Sequence, residues 1–408
     1  MIISRFPAFK YRDFRLLWTS ELISSFGTNI LTVAVAWHLY LLTHSALALG
    51  IVGLAQGIPF LLFNLIGGSH ADVHNRKKIL YVTQSVISLS SIFLAIATFN
   101  NFVSPTIIYI ALAVMSIALA FDMPARGGIL PTLVDKKDLG SANSVYALLW
   151  QTSSMVGPAI GGFLIAGIGV SWIYLIDGIS TLSVLFAILL IRANGQPTAE
   201  SSKPSIAAIK EGFTFLFSRN VLWSTKLLDA VSMFFASTVI IMPIFATDIL
   251  HVGSQGLGLL YAAPSVGGVV IGFIIAPYIS KVRQQGKLFL SAVAVFAVAT
   301  ILFGISKSFV LSLITLFIAG GANVISVILR STITQINTPD KMMGRVSSIS
   351  SIFWFAGDKL GDFEAGFLAQ IVGAQLSVVI GGIGALISVG AMTIFNQSLR
   401  KYTDKSSH

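Results

Sequence analysis

The 408 residues are 55% hydrophobic and only 10% charged, with a mean hydropathy of +0.86, whereas a soluble globule carries about 25% charged residues. That balance excludes a soluble enzyme. It also recasts the formal charge of +10, which in a water-soluble chain would point to nucleic acid. With no cysteine in the sequence, disulfides, thiolate metal sites and thiol nucleophiles are excluded as well.

Apolar stretches of about 18 residues or more recur along the chain, each long enough to cross a hydrocarbon core of about 30 Å. In chain order the expected spans are about 14–42, 46–70, 77–99, 105–130, 140–168, 170–191, 221–248, 256–280, 287–305, 309–336, 345–372 and 375–398. Gly, Pro or charged residues separate them. The first apolar stretch is too long for a cleaved signal and lacks a small-residue cleavage site, so it is expected to serve as its own insertion signal.

The basic residues orient these spans. With the N-terminus in the cytoplasm, the cytoplasmic segments and adjoining helix ends hold Arg5, Lys10, Arg12 and Arg15, then Arg76, Lys77 and Lys78, then Arg126, Lys136 and Lys137. The series continues with Arg192, Lys203, Lys210, Arg219 and Lys226, then Lys281, Arg283 and Lys287, then Arg330, Lys341 and Arg345, and last Arg400, Lys401 and Lys405. Of the 26 Lys and Arg, only Lys307 falls outside and Lys359 within a span. Basic loops resist translocation, so both termini are expected in the cytoplasm, and one missed span would scramble the pattern.

The longest polar interruption, about 192–220, carries Pro197, Ser201, Ser202, Lys203 and Pro204 and divides the spans six from six. The expected organisation is a six-helix bundle over 1–192, a linker over 193–220, and a second bundle with a short tail over 221–408. In the linker, Ile206, Ile209, Phe213, Leu216 and Phe217 recur at helical spacing between Lys210, Glu211 and Arg219, which reads as an amphipathic helix at the membrane surface. Sliding the chain by half its length aligns Arg15 with Arg219, Gly68 with Gly272, Lys77 with Lys281, Arg126 with Arg330, Gly140 with Gly344, Trp150 with Trp354, Gly157 with Gly361, Gly162 with Gly366 and Gly178 with Gly382. Two parallel repeats related by a pseudo-two-fold axis along the membrane normal are expected, with substrate near the midplane between them.

Between the second and third spans stands Gly68-Ser-His-Ala-Asp72-Val-His-Asn-Arg76-Lys77-Lys78. Gly68 is expected to permit close helix packing, and Asp72 to cap the next element and meet a basic side chain across the two halves. The fifth span carries Gly157-Pro158-Ala159-Ile160-Gly161-Gly162, with Ser153 ahead of it; small residues let helices approach in lipid and Pro158 removes a backbone hydrogen bond. The loop resembles the signature of the major facilitator superfamily, and the glycine-proline run resembles the motif of its antiporters and exporters, whose leading Gly is Ser153 here. Further runs are Leu42-Thr43-His44-Ser45 with Gly50, Pro124-Ala125-Arg126 with Leu130-Pro131, Glu211-Gly212-Phe213, Thr338-Pro339-Asp340 with Gly344-Arg345, and Ala356-Gly357-Asp358. They are similar to the enterobactin (siderophore) exporter branch. This resemblance covers nearly the whole chain and implies an all-α major facilitator fold of twelve transmembrane helices and proton-driven export of siderophores or drug-like molecules.

Seven carboxylates fall within expected spans: Glu21, Asp122, Asp177, Asp229, Asp358, Asp362 and Glu364. At about 2.5–3.5 kcal/mol each at a helix centre, their insertion would total about 20 kcal/mol against the about 5–15 kcal/mol of net stability a protein commonly has. Each is therefore expected to be paired, protonated, near an interface or beside water. Arg126 can meet Asp122 one turn away or Glu21 on the first span, and Arg330 can meet Asp229; such pairs either open and close with the cytoplasmic side or stand as static helix-orienting pairs. On the eleventh span Asp358 and Asp362 lie one turn apart with Lys359 adjacent and Glu364 farther round. Two carboxylates at that spacing disfavour double ionisation, which makes Asp358 or Asp362 the candidate carrier of a coupling proton; a structural Asp–Lys cluster is the competing reading.

Trp37, Tyr40, Trp150 and Trp354 offer flat surfaces for an aromatic or catechol-bearing cargo, although aromatics also form belts at membrane interfaces. His70 and His74, four residues apart, lack further matched metal ligands and read as loop residues. No nucleophile, metal or nucleotide constellation suggests an enzyme, and no Walker motif suggests ATP-driven pumping. The expectation is a monomeric multi-pass protein of a bacterial cytoplasmic (inner) membrane, with the lipid bilayer and a small-molecule substrate as partners, no nucleic acid, no cofactor, and the proton gradient as energy source. A broad-specificity drug/proton antiporter is the runner-up, and an uncoupled facilitator or lipid flippase stands behind it.

Overall fold

The computed structural model describes residues 6–196, 206–279 and 282–403. Arg5, Pro197, Ser201, Ser202, Lys203, Pro204, Lys281 and Lys405 of the sequence reading lie outside them, as do the side chains of Ile206, Ile209, Lys341, Gly344 and Arg345. Among the described residues every regular element is helical.

The elements are α1 (Arg12–Thr43), α2 (Ala46–Val73), α3 (Arg76–Phe99), α4 (Pro105–Ile129), α5 (Leu139–Ile168) and α6 (Val170–Leu190), then α7 (Ile206–Ser218) in the central loop. After it come α8 (Asn220–Phe235), α9 (Gly253–Ile279), α10 (Gln285–Ile305), α11 (Phe309–Asn337), α12 (Asp340–Val372), α13 (Ala374–Phe395) and the short α14 (Gln397–Arg400). Among the described residues, ten helices are long and apolar enough to cross a membrane. Large apolar side chains such as Leu62, Phe186, Phe273 and Phe395 stand exposed on their surfaces, as suits helices whose outer face meets lipid rather than water.

The other two expected spans depart from that type for physical reasons. The seventh, expected unbroken over about 221–248, is interrupted: α8 ends at Phe235, and helical structure resumes only at Met242–Ile244 and a π-turn over Phe245–Ile249. Pro243 has no N–H to donate and its ring would crowd the Val239 carbonyl in a continuous helix. The eleventh, α12, has 33 residues and is long enough, but it carries Asp358, Lys359, Asp362 and Glu364 in its second half.

Two compact units emerge, one of residues 1–43 and 55–204, the other of 44–54 and 205–408. In the first, α1 packs on α5 and α6, and α3 on α4 and α6; in the second, α8 packs on α12 and α13, and α10 on α11 and α13. These are the pairings that a repeat of half the chain length requires. The backbone adds an independent mark of it. Gly169 joins α5 to α6 at φ +82, ψ 167, and Gly373, its equivalent, joins α12 to α13 at φ +87, ψ 155. Only glycine adopts that region freely.

Helix starts follow local chemistry. Asn75 accepts from the Lys77 and Lys78 N–H groups and caps α3, so the capping expected of Asp72 falls to Asn75; Asp72 lies inside the last turn of α2. Ser104 caps α4 ahead of Pro105, whose missing N–H costs nothing at a first helical position.

Candidate functional site

The first unit buries a three-charge cluster. Arg126 of α4 directs Nε (2.9 Å) and Nη2 (2.6 Å) at Asp122 Oδ2, one turn earlier, and also forms an ion pair with Glu21 of α1. The two partners that the sequence offers as alternatives are thus engaged together. Asp122 Oδ1 accepts from Thr83 Oγ1 and Gln84 Nε2 of α3, each at 2.8 Å. Charge-assisted hydrogen bonds of this kind are what make a carboxylate tolerable in a low-dielectric interior. Nothing in the sequence marks Thr83 and Gln84 except that they are polar on a helix expected to face apolar neighbours.

In the second unit Arg330 of α11 pairs with Asp229 of α8. A cavity of about 10 Å³, the size of one water molecule, adjoins Asp229; its polar lining is Asp229, Ser232, Asn323 and Ser326. Lys226, counted in the sequence among interfacial basic residues, is instead buried one turn before Asp229 at 7% exposure. The helical spacing from Asp229 was the signal available for it.

The third cluster sits on α12. Lys359 Nζ lies 3.0 Å from Asp358 and 3.3 Å from Asp362, and Ser237, in the break after α8, donates to Asp362 Oδ1 at 2.7 Å. One ammonium therefore serves two carboxylates, the second held from an unwound segment. The start of α2 closes against it: a Cβ on Gly53 would sit 2.3 Å from the Lys359 carbonyl oxygen, and one on Gly50 would sit 3.1 Å from the Gly366 Cα. Ser45 donates to Gln370 one end further along, at 2.9 Å. Glu364, grouped with this cluster in the sequence, stands apart from it, half-buried.

The signature loop takes a form its glycine did not announce. Gly68 has open space where a Cβ would stand, whereas a Cβ on Gly67 would lie 2.2 Å from the Ala120 carbonyl oxygen; the close approach expected at Gly68 belongs to its neighbour. Arg76 is buried and donates to the carbonyls of Ala71 (3.3 Å) and Gly128 (2.8 Å), and Lys77 donates to Ile191 at 2.6 Å. Together they tie α2, α3, α4 and the end of α6. In the glycine-proline motif, Gly157 and Gly161 abut Asn29 and Ile30 of α1, and Pro158 and Gly162 are buried with them. Ahead of α1, Lys10 lies 2.5 Å from Asp138, and that carboxylate holds the Lys10 ammonium above the usual lysine range.

Of the aromatic candidates, Tyr40 is in the core at 4% exposure while Trp150 and Trp354, repeat equivalents, are exposed by 50% and 42%; Trp37 is partly buried. His70 and His74 stack with ring centroids 3.8 Å apart. Among the described residues no group of three or more His, Cys, Asp or Glu is arranged to hold a metal.

The family model described as transmembrane secretion effector, a major facilitator family, matches residues 3–408. The chain belongs to that family. It is a multi-pass membrane transporter and not an enzyme. It is 25% identical over 389 residues to the enterobactin exporter EntS of Citrobacter koseri, covering 95% of this chain and 93% of that one. It matches the EntS of Escherichia coli O1:K1 / APEC to the same extent. The branch read from the motifs is the branch found. Among solved structures, a bacterial homologue of the human lysosomal transporter Spinster superposes with a TM-score of 0.72 at 17% identity, covering 93% of this chain and 95% of that one. A bacterial homologue of the iron transporter ferroportin gives 0.69 at 15%, over 93% and 98%. The nucleoside transporter NupG gives 0.75 at 12%, over 96% and 100%. These share the fold, and the expected major facilitator architecture stands.

Proposed function

We propose that the protein is a proton-coupled exporter of a siderophore or a similar amphipathic small molecule, working by alternating access as a monomer in the cytoplasmic membrane of a bacterium. Both termini lie in the cytoplasm, in keeping with the basic residues of the loops. The working parts are the bundles 1–192 and 221–408, joined by the linker 193–220, and the energy source is the proton gradient without a cofactor.

One observation carries the coupling: in α12 two carboxylates share a single ammonium beside a helix break. Two carboxylates on one ammonium leave one negative charge without a cation, and the neighbouring unwound segment supplies backbone and hydroxyl groups that can follow a change of charge. Asp358 or Asp362 carries the proton, and Lys359 neutralises the other. The signature loop of Gly68, Asp72, Arg76 and Lys77 latches one access state, and Gly157, Pro158, Gly161 and Gly162 give α5 a close, adaptable seat. The cargo class is supported by the likeness to the enterobactin exporter along 95% of the chain.

Metabolite profiling of a deletion strain under iron limitation tests this. Intracellular accumulation of one chelator with unchanged drug sensitivities is expected. Raised sensitivity to several unrelated drugs with no chelator retained would instead identify a broad-specificity drug antiporter.

A further inference from the structure

The buried charge clusters of the two units are unbalanced in opposite directions. In the first, Glu21 and Asp122 share Arg126, one carboxylate too many. In the second, Asp229 is engaged by Arg330, and Lys226, one turn earlier on the same face of α8, is within electrostatic reach of Arg330. Lys226 is buried at 7% exposure, and among the described residues its ammonium has no hydrogen bond and no carboxylate within 4.0 Å. The second cluster therefore has one cation too many.

The repeat makes this placement informative. Arg126 and Arg330 are equivalent, but the position equivalent to Lys226 is Leu22, and that equivalent to Asp122 is Ser326. A leucine fills the position in the first unit with no desolvation cost, so packing alone does not call for an amine. An unpaired ammonium in a membrane helix is costly, and such groups persist where they meet a partner or a water-filled route. One turn along α8 from Lys226, Asp229 borders a small polar cavity. Asp229, Ser232, Asn323 and Ser326 line the water-sized cavity, and the Ser232 hydroxyl is buried with no hydrogen-bond partner among the described residues.

We propose that Lys226 is the docking group for an anionic oxygen, a carboxylate or catecholate, of the transported molecule, with Arg330 beside it and Asp229 holding Arg330 in place. This rests on the reading of the protein as an exporter and narrows its cargo to anions. A cation would meet a cluster that already carries a net positive charge, so the cationic amphiphiles typical of multidrug pumps are poor substrates.

The test uses the purified full-length protein in a neutral maltoside detergent, titrated calorimetrically with benzoate, with benzamide as its uncharged isostere, and with inorganic phosphate. Benzoate is expected to bind and to raise the thermal midpoint, and benzamide to bind about ten- to hundredfold more weakly, the range for one charge-assisted contact. Lys226→Met is expected to abolish that discrimination while unfolding at or above the wild-type midpoint in the absence of ligand, because the unpaired cation is gone; Lys226→Arg is expected to retain it. Equal binding of benzoate and benzamide by the wild type, which requires no variant, overturns the proposal, as does undiminished benzoate binding by Lys226→Met. Binding of phosphate in preference to benzoate also overturns it, by pointing to a lipid headgroup. Proton coupling is read separately, as pH-gradient dependence of uptake in proteoliposomes. Loss of that dependence with benzoate discrimination intact would sink the coupling and leave the anion site standing.

Discussion

Replacing Asp229 by Asn leaves Arg330 and Lys226 on facing helices with no anion between them. Like charges in a partly buried site repel, and stranding one partner of a buried pair costs about 3–5 kcal/mol in its own right. Arg330→Gln is different, because Lys226 lies one turn from Asp229 and can take over the carboxylate, so the expected cost is about 1–2 kcal/mol. In the first unit the order inverts. Arg126→Gln strands Glu21 and Asp122 together and is expected to cost about 3–5 kcal/mol. Glu21→Gln leaves Asp122 bonded to Arg126, Thr83 and Gln84 and is expected to cost about 1 kcal/mol. Reversible unfolding in mixed micelles titrated with dodecyl sulfate reads all four. An Arg330 variant as unstable as the Asp229 variant, or a Glu21 variant as unstable as the Arg126 variant, would refute the charge accounting on which the roles of both clusters depend.

Gly67→Ala is expected to destabilise strongly, because its Cβ would meet the Ala120 carbonyl at 2.2 Å, whereas Gly68→Ala should fall within about 0.5 kcal/mol of wild type; thermal midpoints of the two variants, if reversed, would contradict the packing described for the loop. Gly169→Ala and Gly373→Ala should each cost about 1–3 kcal/mol through backbone strain, and similar losses at both joints are expected from their shared conformation. Ser237→Ala removes the hydroxyl that holds Asp362 and should reduce gradient-driven uptake with expression unchanged, with Ser237→Thr restoring it; full activity of the alanine variant would count against a role for the break after α8.

The expected spans, the repeat and the family were legible because each is written many times over: in hydropathy, in the placement of Lys and Arg, and in equivalent glycines. The partners of Arg126 and Arg330 were legible as candidates because a charge in lipid has few acceptable neighbours. Three features were hidden. Lys226 reads as an interfacial cation when charges are assigned by loop, since its burial depends on how α8 rotates against α11. Gly68 sits at the motif position, but which of two adjacent glycines meets α4 is set by helix rotation, and the contact falls on Gly67. The break in the seventh span was signalled by Pro243, yet its extent back to Ala236 reflects the tertiary contact of Ser237 with Asp362, which local propensity does not encode.

The central claim is that the acidic excess on α12 exchanges a proton for cargo, and its most direct test is proton release by the purified protein on addition of a catecholate siderophore in weakly buffered solution. The account predicts release from the wild type, its loss in Asp358→Asn combined with Asp362→Asn, and collapse of siderophore uptake into acid-loaded proteoliposomes when the pH gradient is dissipated. Release that survives in the double variant, or uptake indifferent to the gradient, would contradict it.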